Sequence, residues 1–413
     1  MHTLLSNTKK GFLDYQQSHP ARPSKPNYVF MRATLEYVDV IKKCNPHFRP
    51  ECMFIPKRTL TYPRQPAKNH GHDNIQDDYI LRVHEPLGNK YIILDLMGQG
   101  TFGQVVKCKA TKTGEYVAIK VIKRQHAFFM QGLKEIEILK KLKQKQDEHH
   151  RFLQLIHSFE FRGHLCVVFE LLSISLQALF RQQSVRPRLS IHDIQQIAIP
   201  LLETLARLKE MRIIHTDLKP DNILLKDPDR LHDVKLIDYG SALFETDSPH
   251  YHIQTAFYRS PEVILQDAFG CAIDMWSFGC FVAELWIGKP LFPSGHEATL
   301  IHMMVATLKQ LPPAHMLHRA KRSSEFFDQS QLRHQSQQVH PASLKERIMG
   351  TDPTVDQRHL FDFLSHILVF DPAVRYTPQQ ALNHPFLSKP KVLKSILKTS
   401  KPKDNRVSFS SFI

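Results

Sequence analysis

The chain lacks most of what holds small secreted domains or membrane proteins together. Its six cysteines, at positions 44, 52, 108, 166, 271 and 280, stand singly with no C-x-x-C. They offer neither a disulfide framework nor a zinc ribbon, and reduced thiols are the expectation. The 25 histidines are scattered too, and no metal role is expected of them. No run reaches the ~20 apolar residues of a membrane helix. The opening MHTLLSNTKKGFLDYQQ has no basic start followed by an apolar stretch, an expectation against secretion. Neither a myristoylation nor a prenylation signal is read at the two ends.

Acidic residues are also in deficit, with 40 Asp and Glu against 55 Lys and Arg. The deficit sits at the ends. Residues 1–70 hold 12 basic against 4 acidic side chains, and residues 388–413 hold 7 against 1. The 317 residues between them carry 36 against 35. A balanced body with basic ends points to localisation, docking or nucleic-acid contacts in the ends, or simply to solvated extensions. The basic ends have no interleaved aromatics and no recognisable module, which places nucleic-acid binding last among the functions.

What is present is the make-up of an ordinary soluble globular protein, 42% hydrophobic and 23% charged. Its 413 residues suggest two or three domains. Residues 1–70 bear prolines and read as irregular, with one candidate helix in RATLEYVDVIKK. From Lys90 the short runs KYIILDL, QVVKCKA and EYVAIKVIK are rich in Val, Ile and Tyr and predict strands. LKEIEILKKLKQK (133–145) carries apolar residues at helical spacing, HLCVVFELL (164–172) predicts another strand, and 190–211, 272–288 and 360–370 predict helices. Strands first and helices afterwards give an α+β fold, with a small antiparallel β lobe carrying one main helix and a larger helical lobe.

The chemistry-bearing residues follow in order. Met97 precedes GQGTFGQV, which runs through Gly98, Gln99, Gly100, Thr101, Phe102, Gly103, Gln104 and Val105. The string fits G-x-G-x-x-G. Because a strand-like run follows it, a hairpin whose tip closes over a triphosphate is the better reading than a dinucleotide loop. An ordinary glycine hairpin is the plain alternative. Ala118 and Lys120 lie in VAIK, and Glu135 stands 15 positions after the lysine, within reach for pairing if 133–145 packs behind the sheet. Glu137 offers the same chemistry two residues on. HTDLKPDNILL then supplies Asp217 to accept a hydroxyl proton, Lys219 to neutralise a transferring phosphoryl group and Asn222 to hold a magnesium ion; Asp238 in LIDYG can hold another. Any one of these alone could be a surface residue. Together, in this order, they match a protein-kinase domain that uses ATP and Mg²⁺. RSPEVIL (259–265) and DMWSFGC (274–280) agree, and Arg375 is placed to pair with Glu262.

Longer stretches narrow the resemblance. DYILRVHEPLGNKYIILDLMGQGTFGQVVKC, RFLQLIHSFEFRGHLCVVFELLSISL and YHIQTAFYRSPEVIL resemble the dual-specificity tyrosine-regulated kinases of the proline-directed CMGC group. CNPHF, PKRTLT, LPPAHML and SSEFF resemble the Yak subfamily within them. The likeness covers residues 30–387 and implies a lead-in box over 71–90 and a kinase domain over 91–387, divided into lobes at 172/173. It implies Phe169 as gatekeeper, with Glu170 to Leu172 as the hinge facing adenine. Asp221 would stand near a substrate arginine, and the implied substrates are Ser or Thr followed by Pro. Growth, nutrient or stress signalling in cytoplasm and nucleus is the implied setting.

Departures from the pattern matter. Thr216 stands where many kinases have arginine and this family has cysteine, and Tyr239 replaces the usual phenylalanine. Neither removes a catalytic charge, so an active enzyme is expected, not switched through that arginine. The family's Tyr-x-Tyr-Ile-Gln-Ser-Arg-Phe-Tyr-Arg is here HYHIQTAFYR, with His252 in place of the self-phosphorylated tyrosine, Ala256 in place of one arginine, and Arg259 kept. Self-phosphorylation is therefore read as lost, or moved to Tyr251. In the tail 388–413, SILK (Ser395, Ile396, Leu397, Lys398) and RVSF (Arg406, Val407, Ser408, Phe409) resemble docking motifs for type-one protein phosphatase. Phosphate on Ser408 would oppose that docking. The alternative to a kinase is a catalytically weak scaffold that recruits this phosphatase.

Overall fold

The computed structural model describes residues 58–144, 152–182, 189–248, 251–328, 331–333 and 341–388. The candidate helix in 32–43 and both tail motifs lie outside them. Alternating apolar residues form a six-stranded antiparallel sheet from β1 (Pro86–Leu87), β2 (Tyr91–Gln99), β3 (Gly103–Ala110), β4 (Tyr116–Ile122), β5 (Leu155–Phe161) and β6 (His164–Glu170). Its order is β1-β2-β3-β4-β6-β5. β5 was not read from the sequence, because LIHSFEF mixes polar and apolar residues. Only its pairing with β6, from Leu155↔Phe169 to Phe161↔His164, fixes it as a strand.

The helix α1 (His126–Gln144) starts earlier than the apolar spacing over 133–145 predicts. Its buried stripe, Gly132, Glu135, Ile136, Ile138, Leu139 and Leu142, lies against one face of the sheet. A Cβ on Gly132 would come within 2.3 Å of Ile122 Cδ1, so glycine lets α1 approach β4 closely.

The other face of the sheet is covered as well. Tyr79, Leu81 and Leu87 pack with Ile93, Val106, Cys108, Ile119, Cys166 and Val168. A sheet buried on both faces explains why HLCVVFE reads as a continuous apolar run rather than an alternation. The assignment of all of 1–70 to an irregular extension needs correction at its end. Leu60 N–H donates to the Leu81 carbonyl at 2.8 Å, and Thr59 bridges Arg82. Thr61 is fully buried, so residues 59–70 fold with the lead-in segment.

The second lobe is built from α2 (Leu176–Gln182), α3 (Ile191–Glu210), α4 (Ala272–Ile287), α5 (Glu297–Leu308) and α6 (Val355–Ile367). Ser190 and Asp193 close a capping box at the start of α3. Residues 273–285 of α4 are all buried, so it is a central helix rather than an amphipathic one. Short strand pairs, β7 (Ile213–Ile214) with β10 (Leu243–Phe244) and β8 (Ile223–Leu225) with β9 (Val234–Leu236), hold the loops between the lobes. The α+β, two-lobed architecture is the expected one.

Candidate active site

The cleft between the lobes gathers the ordered series. β4 carries Lys120, whose ammonium lies 2.9 Å from Glu135 Oε2 and 2.9 Å from Asp238 Oδ1. Helix phase decides between the two glutamates. Glu135 falls on the buried stripe of α1, whereas Glu137 is exposed and pairs with Lys141 on its own helix. Burial works against the charge on Lys120, but the two carboxylates outweigh it and raise its pKa. At Asp238 burial also opposes ionisation; Lys120 overcomes it and holds the carboxyl below its ordinary range.

Asp217 sits across the cleft with both oxygens engaged. Oδ1 accepts from the Thr255 hydroxyl at 2.7 Å, and Oδ2 accepts from Lys219 Nζ at 2.7 Å and Asn222 Nδ2 at 3.0 Å. Lys219 also donates to Thr255 Oγ1 at 2.9 Å. The loop is held from below by the buried Asp274 of α4, which accepts from the N–H groups of His215 (2.7 Å) and Thr216 (2.9 Å). Those bonds keep Thr216 at φ 70°, a left-handed conformation uncommon for a β-branched residue. The Thr216 hydroxyl donates to the Ser241 carbonyl at 2.9 Å, tying the loop to the segment after Asp238.

Asn222 donates its amide N–H groups to Asp217, which turns its oxygen away, and Asn222 and Asp238 both line the pocket. Two oxygen donors of this kind fit a hard divalent cation. Away from these and from Lys120, Glu135 and Glu170 the walls are mostly apolar, with Met97, Val105, Ala118, Phe169 and Leu172 among them. Leu153, Leu224 and Ile237 complete them and were not read from the sequence. Leu224 lies on β8, directly after the turn that carries Asn222, where no motif marks it.

The glycine hairpin forms as expected, and Gly98, Gly100, Thr101, Phe102 and Gly103 line the pocket. A Cβ on Gly103 would stand 2.2 Å from the Val121 carbonyl oxygen, so only glycine fits there. Gln99 and Gln104 are a correction. Their side chains do not join the pocket but bond to residues 61, 62, 78 and 79 on the far face of the sheet. Glu170 is at the hinge, but its carboxylate turns to Lys235 Nζ at 2.5 Å and to the Gln154 N–H at 2.8 Å.

Asp221 is exposed on the turn Pro220–Asn222. Arg259 donates to the carbonyls of Ile253 and Gln254 and pairs with Glu297 at 2.9 Å. Tyr251 is half-buried, edge-on to Phe269, with Lys321 over its ring. Thr255, which joins Asp217 to Lys219, was missed because a lone threonine carries no motif. Arg375 and Glu262 form the expected pair, fully buried, at 2.6 and 3.0 Å. Apart from this site, Asp362, His366 and His384 cluster, but the ring of His384 accepts from Phe386 N–H at Nδ1 and faces Asp362 Oδ2 through Nε2.

The model of the protein kinase domain matches residues 91–387. The serine/threonine-protein kinase ppk15 of Schizosaccharomyces pombe is 36% identical over 89% of this chain and 78% of its own length. The dual specificity protein kinase YAK1 of Saccharomyces cerevisiae is 37% identical over 89% of this chain, which spans 51% of that protein. The human dual specificity tyrosine-phosphorylation-regulated kinase 4 is 36% identical over 82% of this chain and 65% of its own.

Proposed function

The chain belongs to the protein kinase family, within the Yak and dual-specificity tyrosine-regulated branch of the CMGC group, and from this premise we propose that it phosphorylates proteins on Ser or Thr followed by Pro, using Mg-ATP. Adenine enters the slot between Val105, Ala118, Leu153, Phe169 and Leu224, and the phosphates lie under the glycine hairpin. Lys120, oriented by Glu135, neutralises the phosphates. Asn222 and Asp238 would hold Mg²⁺, which supplies charge stabilisation for the departing diphosphate. Asp217 takes the proton of the acceptor hydroxyl as its oxygen bonds to the γ-phosphorus and the bond to ADP breaks. Lys219 offsets the charge on the transferring group.

The segment beside Asp217 supports the proposed preference for proline. Gln254 adopts φ 60°, and its carbonyl accepts from Arg259 Nη2 at 3.0 Å and Nε at 3.3 Å. A carbonyl already engaged in this way offers nothing to the backbone N–H of the residue after the acceptor. Proline has no N–H to leave unsatisfied, so it is favoured there.

The Asp217 carboxylate, held between Lys219, Thr255 and Asn222 across from the Lys120–Glu135–Asp238 group, carries this reading. The test is phosphate transfer from Mg-ATP to a Ser-Pro peptide and its Ser-Ala counterpart. Transfer should favour Ser-Pro and fall about 1,000-fold in Asp217→Asn. Equal transfer to both peptides would remove the proline preference. An unaffected Asp217→Asn would remove the mechanism. Mass mapping of the same protein tests self-phosphorylation, with loss the favoured outcome and phosphate on Tyr251 the contrary one. Asp221 as a partner for a substrate arginine is tested by exchanging that arginine in the peptide. Work in growth, nutrient or stress signalling, in both cytoplasm and nucleus, belongs to the same proposal, and imaging of a tagged full chain tests its placement. The SILK and RVSF motifs support an accompanying contact with type-one phosphatase. Equal phosphatase recovery with wild type and Val407→Ala/Phe409→Ala would end it.

A further inference from the structure

The two glutamines that bracket the phosphate loop are held from behind. Gln99 and Gln104 are the last paired residues before the hairpin tip, and the preceding pair, Gly98 and Val105, faces the pocket. Strand alternation therefore sends both glutamines to the opposite face. Gln104 is buried there with Val106 and Cys108, under the segment that precedes the kinase domain. The Gln104 amide donates to the Tyr79 carbonyl at 2.9 Å and accepts from the Thr61 hydroxyl at 2.6 Å. The Gln99 amide closes on the backbone of one residue, accepting from Tyr62 N–H at 3.1 Å and donating to the Tyr62 carbonyl at 2.5 Å. It also donates to Asp78 Oδ2 at 3.1 Å. Asp78 is itself fixed, its N–H donating to Asn74 Oδ1 at 3.0 Å and its carboxylate lying 3.8 Å from Lys123.

From these contacts we infer that residues 59–81 clamp the phosphate loop, and that Gln99 and Gln104 are positioning residues acting on the nucleotide through the loop backbone. The inference rests on the pocket being the ATP site. The far half of the tip is anchored, with Phe102 edge-on to Phe128 and its carbonyl accepting from Lys123 N–H, but the near half is open: a Cβ on Gly98 or Gly100 would meet nothing within 4 Å. A loop with an open half loses conformational entropy when it closes on phosphates. Holding its two ends from outside reduces that loss before the nucleotide arrives, which strengthens binding without touching the ligand. Linkage makes the effect mutual, so nucleotide in the pocket steadies the lead-in segment.

An attachment that is merely structural would change stability and leave nucleotide affinity alone. The test is the Kd for Mg-ATP by calorimetry on the full chain, with KM and kcat measured in parallel. Gln99 is exposed, so its variants keep the fold. Gln99→Glu loses both donor bonds and faces the Asp78 carboxylate. It should weaken Mg-ATP binding about fivefold, the worth of one net hydrogen bond, and raise KM alike with kcat within about twofold. Adding Asp78→Asn removes the repulsion and restores a donor, returning Kd to within about twofold of wild type. Unchanged Kd in Gln99→Glu, or the same loss with and without Asp78→Asn, would overturn the clamp. Wild type that binds Mg-ATP but transfers no phosphate would refute the kinase reading while leaving the clamp to be judged on Kd. Wild type that does not bind Mg-ATP overturns both.

Discussion

Single residues in this site show how far a departure from the family pattern can go before chemistry suffers. Tyr239 fills the place of a phenylalanine and packs edge-on to His215, 5.1 Å between ring centres. Its hydroxyl, however, is buried with no hydrogen-bond partner among the described residues. Burial and the nearby Asp274 push its pKa up, so it stays protonated and neutral. A buried hydroxyl with no partner costs free energy that a phenyl ring would not. Tyr239→Phe should therefore raise stability by about 1 kcal/mol with kcat retained, measured by urea unfolding and peptide phosphorylation. A loss of stability would mean that the hydroxyl has a partner in solution. Thr216 is the opposite case. It stands where many kinases carry arginine, and its backbone is held by Asp274 while its hydroxyl bonds the Ser241 carbonyl. Through this bond two neutral groups tie the catalytic loop to the segment after Asp238.

At the scale of elements, the loops that carry chemistry are fixed to buried helices. Glu262, in the short helix Pro261–Ile264, meets Arg375 in a fully buried pair. The same guanidinium donates to the carbonyls of Ala272, Val369 and Phe370. With every donor direction occupied, the pair acts as a joint between the substrate segment, α4 and the chain after α6. Arg375→Met would leave the Glu262 charge buried and uncompensated, at a cost of about 4 kcal/mol. Thermal unfolding should show that loss, whereas Arg375→Met with Glu262→Gln should recover part of it. The hinge is tied to β9 in a similar manner through Glu170 and Lys235. These pairings join residues 65 and 113 positions apart, and no local motif announces the first of them.

For the whole molecule, the lead-in segment is the part whose attachment depends on ionisation. Asp73 is fully buried and accepts from Arg124 Nε (2.8 Å), Asn69 Nδ2 (3.0 Å) and His164 Nε2 (2.9 Å). Burial opposes its charge, but those contacts outweigh burial and hold its pKa below the ordinary 3.8. A carboxyl lowered by folding contributes stability that is complete above its unfolded value and is lost as pH falls through the folded one. The segment should thus stay attached at neutral pH and loosen in acid below 3.8. Asp73→Asn should lower stability at neutral pH by about 3 kcal/mol and flatten its fall in that acid range, as followed by urea unfolding. If its acid slope matched that of wild type, another carboxylate would be responsible.

The series from Gly98 to Asp238 was legible in the sequence because each motif's chemistry depends on neighbours within a few residues. Asp217, Lys219 and Asn222 share one loop, and Lys120 and Glu135 are separated by one turn and part of a helix. The strand and helix order, and hence the two-lobed fold, followed from periodicities that are also local. What local pattern could not supply was the facing of side chains and their distant partners. It could not show that Gln99 and Gln104 turn from the pocket to residues 61–79, or that Thr255 closes on Asp217 from 38 positions away. Leu153, Leu224 and Ile237 became pocket walls only when the lobes met. The ordered motifs, and the kinase resemblance they carry, thus determined the reaction this chain is equipped for. The tertiary structure decided what holds the phosphate loop, because side-chain direction is set by packing between segments far apart in the chain.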